Sequence, residues 1–81
     1  MIVKILWAQP NHDGYKMYHM YECAEYFVEE TGYSGSSGGP SGLSSARLML
    51  DGDKHDICLG HGDVAYVMNN SGKTIEVIRT I

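Results

Sequence analysis

Apolar and polar positions alternate through much of the chain. From Ile2 to Ala8, Val3, Ile5 and Trp7 fall on one side of an extended strand, and Ile2 and Leu6 fall on the other with Lys4 between them. A period of two predicts a strand, and apolar residues on both sides predict that both of its faces are covered. A turn cluster follows over residues 9–14, with Pro10, Asn11 and Asp13-Gly14. Asp-Gly between two apolar runs signals a hairpin, because glycine reaches positive φ without a Cβ clash.

Residues 15–30 carry two periodicities. As a helix, Met17, Met20 or Tyr21, Ala24, and Phe27 or Val28 form one stripe, with Asp13 to cap it and Gly32 to end it. Glu29 and Glu30 would then sit at the negative end of the helix dipole. Tyr15, Tyr18, Tyr21, Tyr26, Phe27 and Val28 also favour strands. As a strand, Met17, His19, Tyr21 and Cys23 share a face, and Ala24, Tyr26 and Val28 share one after a shift of register. That shift predicts a bulge or break near Cys23. The strand reading carries the greater weight.

The stretch from Gly32 to Gly42 holds five Gly and four Ser and is expected to be a flexible loop. Beyond it the alternation returns in strand candidates at 46–50, 54–59, 64–69 and 74–81. Asp51-Gly52, Gly60-His61-Gly62 and Asn70-Ser71-Gly72 separate them, which predicts an antiparallel meander. The expected fold is therefore a single, mainly β domain over 1–81, a small antiparallel sandwich or partly open barrel of five to six strands. The alternative is α+β, with one helix over 16–30 packed on an antiparallel sheet.

Length and charge narrow the function. An 81-residue chain builds a thin core and gains from an oligomer interface, a metal or a disulfide. The net charge of −4 gives no basic stripe for a phosphate backbone, so nucleic acid is not an expected partner. No run reaches the roughly 18 apolar residues of a spanning helix, so no membrane partner is expected. The run Met1 to Trp7 is too short for a secretory leader, and Cys23 and Cys58 read as free thiols of a reducing compartment. A cytoplasmic location is expected.

Motif candidates resolve mostly into turns. Gly72-Lys73-Thr74 resembles the end of a P-loop, but Val67 stands where that motif needs its first glycine, and a strand pattern follows where it needs a helix. Asp51 to Asp56 is acidic, but an EF-hand counted from Asp51 meets Asp56 at its glycine position and Gly62 at its glutamate position. His12-Asp13 and His61-Gly62-Asp63 place histidine beside carboxylate without a catalytic signature. Cys58 with His61, or Cys23 with His19, could form a thiol–imidazole dyad, but spacing alone does not establish proximity. An enzyme is not expected.

Two constellations remain. His19 and Cys23 are spaced H-x₃-C, and Cys58 and His61 C-x₂-H around a glycine turn, so a Cys₂His₂ zinc site is conceivable. It requires residues 15–30 to be helical, because four residues along a strand span roughly 13 Å. The second is a population of Tyr, Met, Trp and Phe concentrated between Trp7 and Phe27. Such residues fill cores and also enrich interfaces. The expected function is a small non-enzymatic binding protein that acts as a homo-oligomer and binds a protein partner or a small molecule. Its size is that of many phage and mobile-element accessory proteins, inhibitors of host defence among them. Chemistry alone nominates Tyr33, Ser36 and Ser37 of the loop, with His19, Arg47 and His55, as polar ligand contacts. A zinc-stabilised structural domain is the alternative, and a small enzyme the third reading.

Overall fold

The computed structural model describes residues 1–10, 13–34 and 42–81. Among them the chain forms seven strands and no helix: β1 Ile2–Pro10, β2 Lys16–Glu22, β3 Tyr26–Ser34, β4 Gly42–Leu50, β5 His55–Gly60, β6 Val64–Met68 and β7 Thr74–Arg79. They pair antiparallel into a four-stranded sheet, order β2-β1-β6-β7, and a three-stranded sheet, order β3-β4-β5. This is the expected mainly β antiparallel architecture, a two-sheet sandwich.

The additional strand arises within residues 15–30. Instead of a helix over 16–30, β2 ends at Glu22 and β3 begins at Tyr26, in the other sheet. The register shift near Cys23 is thus the crossover between sheets. Aromatic and β-branched side chains suit the pleated surface better than a helix. Asp51 holds the crossover: its Oδ1 accepts the Ala24 and Glu25 amides at 2.8 and 3.1 Å, and its own N–H donates to the Glu25 carbonyl at 3.0 Å.

The Gly/Ser stretch is also more ordered at its ends than its composition suggests. Gly32 to Ser34 belong to β3 and Gly42 opens β4, with Tyr33 opposite Leu43 and Ser34 opposite Gly42. A Cβ on Gly32 would lie 2.7 Å from Ser45 Oγ, so a side chain there would require the Ser45 hydroxyl to turn away from Thr31. Residues 35–41 of the expected loop lie outside the described residues.

Alternation builds the core. Val3 and Ile5 of β1, Ala65 and Val67 of β6 and Ile78 of β7 meet Ala46, Leu48 and Leu50 of β4 and Ile57 and Leu59 of β5. Cys23 joins them at the crossover. Register places Val3 opposite Val67 and Leu48 opposite Ile57, so each inner row is continuous across its sheet. Burying each Val, Leu or Ile stabilises by about 1.5–3 kcal/mol.

The flanks of the sandwich are closed by side chains. On one side the Tyr26 hydroxyl of β3 donates to the Glu76 carboxylate of β7, and this bond pushes the Tyr26 pKa up to about 12. On the other side the Tyr21 ring of β2 lies 4.9 Å from the His55 ring of β5. At the β5–β6 turn, Asp63 accepts the Ala8 amide at 2.8 Å and the Gly60 amide at 3.1 Å. Buried Thr80 donates to the Asp63 carbonyl and accepts the Gly62 amide at 3.0 Å. Gly62 has φ 94°, and a Cβ there would meet Ala8 at 3.3 Å, so both backbone and space require glycine.

Leu48 is fully buried in the second half of β4. Leu48→Ala is expected to lower unfolding stability by about 2–5 kcal/mol, measured by urea denaturation. The pH dependence follows from Asp51 and Asp56. Backbone hydrogen bonds from Ala24 and Glu25 lower the Asp51 pKa, and hydrogen bonding to Arg47 lowers that of Asp56. A carboxylate with a depressed folded-state pKa stabilises fully above its unfolded value near ~4, and this is lost as pH falls through the folded value. Asp51→Asn should be less stable at pH 7 and lose less stability than wild type on acidification from about pH 5 to pH 2, read from urea midpoints.

Candidate functional site

The four-stranded sheet has an inner face on the core and an outer face that no part of the described chain covers. The registers define rows across that outer face. Met20, Lys4, Tyr66 and Val77 form one; Tyr18, Leu6, Val64 and Arg79 form the next; Glu22, Ile2, Met68 and Thr74 form the third. Tyr18, Met20 and Val77 are 57%, 53% and 40% exposed, and Ile2, Leu6, Tyr66 and Met68 are half-buried. The reading of β1 as a strand covered on both faces is therefore corrected. Its Val3 and Ile5 face is covered, while its Ile2, Lys4 and Leu6 face opens outward.

The one charge in the middle of this surface is drawn aside. The Lys4 ammonium stands 4.8 Å from the centre of the Tyr18 ring, a cation–π contact that leaves Leu6 and Tyr66 presenting apolar surface. Lys4, Leu6, Tyr66, Met68 and Thr74 line an open depression of about 310 Å³. The remaining charges, Lys16, Glu22 and Arg79, stand at the rim.

The outer face of the three-stranded sheet has a different chemistry. Arg47 on β4 donates from Nε to Asp56 of β5 at 2.8 Å and lies 3.9 Å from Glu29 of β3. This cross-strand trio raises the Arg47 pKa, chiefly through its hydrogen bond to Asp56. Arg47 is thus engaged in a surface ion network. Phe27 is exposed on this face, and Met49 is half-buried beside it.

The nominated ligand contacts are only partly brought together. His19 and His55 belong to one run of rings at the flank between β2 and β5. Trp7 Nε1 donates to His19 Nδ1 at 2.8 Å, His19 and Tyr21 centroids are 6.4 Å apart, and Tyr21 bridges to His55. Arg47 lies on the outer face of the other sheet. Tyr33 is near the end of β3, its hydroxyl donating to the Glu30 carboxylate. Ser36 and Ser37 lie outside the described residues. The six therefore do not form a single site around the loop.

The four conceivable zinc ligands are dispersed. His19 is on β2, Cys23 is buried at the crossover, Cys58 is exposed on β5 opposite Arg47, and His61 is exposed in the β5–β6 turn with φ 53°. The helix that would set His19 and Cys23 one turn apart is not formed. Among the described residues no three His, Cys, Asp or Glu side chains group as metal ligands. Burial pushes the Cys23 thiol pKa up, with the Asp51 charge adding to it.

The outer-face rows are the candidate feature that residue-by-residue reading misses. Its signals were the apolar second face of β1 and the Val64, Tyr66, Met68 alternation, but only strand order shows that they adjoin. Comparison of the chain with protein-family models, curated proteins and solved structures gives no match. Among the described residues no helix is long and apolar enough to cross a membrane.

The two thiols should differ sharply in reactivity. Native protein is expected to take one equivalent of maleimide rapidly, at Cys58, and a second, at Cys23, only in denaturant. Cys58→Ser should remove the fast phase. Protection of both thiols by one equivalent of zinc would contradict this placement.

Proposed function

We propose that the protein is a non-enzymatic binding module that acts as a homo-oligomer and docks a protein partner on the outer face of its four-stranded sheet. The observation that carries this reading is the contiguous apolar surface of Leu6, Tyr18, Met20, Tyr66, Met68 and Val77, with charge confined to Lys4 and the rim. Interface centres are depleted in charge and enriched in Tyr and Met, whereas rims are polar. A large apolar patch of this kind on a folded surface marks an interaction site.

The shape favours a protein over a small molecule. Ligand pockets enclose most of their ligand's surface. The depression beside Tyr66 is open and lined by five residues of one sheet, so a small molecule would be held from one side. An open sheet face suits occlusion of a partner's surface, the mode of action an accessory inhibitor needs. Two free cysteines support a reducing, cytoplasmic setting.

Tyr66→Lys introduces a charge at the centre of the face without touching the core. The variant should keep the wild-type circular dichroism spectrum and thermal midpoint. The test is retention of a partner by immobilised wild type, identification by mass spectrometry, and reconstitution of the pair from purified components. Binding of the purified partner is expected to fall at least about tenfold in Tyr66→Lys, the cost of one unpaired charge in a desolvated interface. Equal binding by both proteins would overturn the assignment of the face. A stoichiometric copurifying small molecule displaced by Tyr66→Lys would replace the protein partner with that ligand.

A further inference from the structure

We propose that β2 is a self-pairing strand: two copies of the chain join edge to edge, antiparallel, about a two-fold axis through His19. The inference deepens the homo-oligomer part of the reading above and rests on it. β2 ends the order of its sheet, so β1 is its only strand partner among the described residues. The N–H and C=O groups on its other side meet no strand among the described residues. All of its residues are exposed except Tyr21, which is half-buried.

The sequence of β2 is complementary to itself. It reads Lys16-Met17-Tyr18-His19-Met20-Tyr21-Glu22. An antiparallel pair centred on His19 sets Lys16 against Glu22 of the second copy, Met17 against Tyr21, and Tyr18 against Met20. Each pair occurs twice. The outer pairs are opposite charges and the inner pairs are sulfur–aromatic contacts, both favourable across antiparallel strands. Lys16 and Glu22 have no ion-pair partner within the described chain. At the axis, His19 Nδ1 accepts a hydrogen bond from Trp7 Nε1 at 2.8 Å, which holds the ring beside its own sheet.

The other edges are less suited to pairing. β3 carries Glu29 and Glu30 and two shifts of register, and β7 carries Glu76, Arg79 and a shift of register. β5 has six residues, with Asp56 among them, and follows the charged Asp53-Lys54 turn. Bulges, charges and short length are the usual devices that blunt an edge. The ladder of β2 with β1 also shifts, between Tyr18 and Lys16, but the extra residues lie on β1 and not on β2. In β2 the charges sit only at the two ends, where a second copy neutralises them. Such a two-fold contact is closed, giving a dimer and no fibre. It would join the two four-stranded sheets into one and place two docking faces on the same side of it, so a repetitive partner would be bound with avidity.

Sedimentation velocity across a concentration series tests the pairing. Wild type should dimerise, and Lys16→Glu or Glu22→Lys alone should each weaken the dimer by about tenfold, because each puts like charges opposite at both ends. The double variant Lys16→Glu/Glu22→Lys should restore near-wild-type dimerisation, which a merely structural role for either residue would not do. In a Cys58→Ser background, His19→Cys should form one disulfide-linked dimer on mild oxidation, since facing residues of antiparallel strands lie within disulfide reach. A monomer at every concentration, or a dimer indifferent to both charge reversals, overturns the proposal. A dimer that survives charge reversal but is lost in Tyr66→Lys also overturns it, and identifies the outer face as a self-contact, contradicting the partner reading. A dimer lost on charge reversal with partner binding retained supports the strand pairing and leaves that reading intact.

Discussion

The inter-sheet core is the constraint on which the rest depends. One row of aliphatic side chains from each sheet, centred on Val3, Ile5 and Val67 against Leu48 and Leu50, excludes water between two layers. A chain of 81 residues suffices for two layers and no third. Among the described residues each sheet therefore has one covered face and one face left to solvent. The three-stranded sheet answers with the Arg47, Asp56 and Glu29 network, whereas the four-stranded sheet presents Leu6, Tyr66, Met68 and Val77. That asymmetry links the packing to the proposed function.

The polar contacts fix where the chain changes layer. Asp51, itself at φ 51°, ties the turn between β4 and β5 to the crossover after β2. Asp63 and Thr80 tie the β5–β6 turn to β1 and to the end of β7. Each uses a short side chain to satisfy backbone amides, and among the described residues no buried side-chain nitrogen or oxygen lacks a partner. The apolar rows carry the stability, and these few acceptors select the topology.

Much of the fold was legible because period-two alternation states directly which side chains point inward. β1, β5, β6 and β7 were visible to within a few residues, and β4 was visible from Ala46 onward. Its first residues were hidden because Gly42 and the serines after it resemble loop composition and are held as strand by pairing with β3. Residues 15–30 were ambiguous because aromatic and Met positions fit both periods, although the register shift at Cys23 already marked the break. The candidate site was less legible. That Ile2 and Leu6 needed cover was evident, but that they adjoin Tyr66, Met68 and Val77 depends on β6 pairing with β1, a contact more than fifty residues away in sequence. His19 and His55 share a flank for the same reason, whereas Arg47 and Tyr33 were nominated for chemistry that the fold engages in ion pairing and a local hydrogen bond.

On the proposed reading, the outer side and free edge of the four-stranded sheet are where this protein meets other proteins, its own copy first. A native mass spectrum of the untagged protein tests it most directly. A dimer at twice the 9.0 kDa chain mass, with no metal or small-molecule increment, is expected. A bare monomer at all concentrations would contradict the self-association, and a monomer carrying one zinc ion or one small ligand would contradict the binding-module account as a whole.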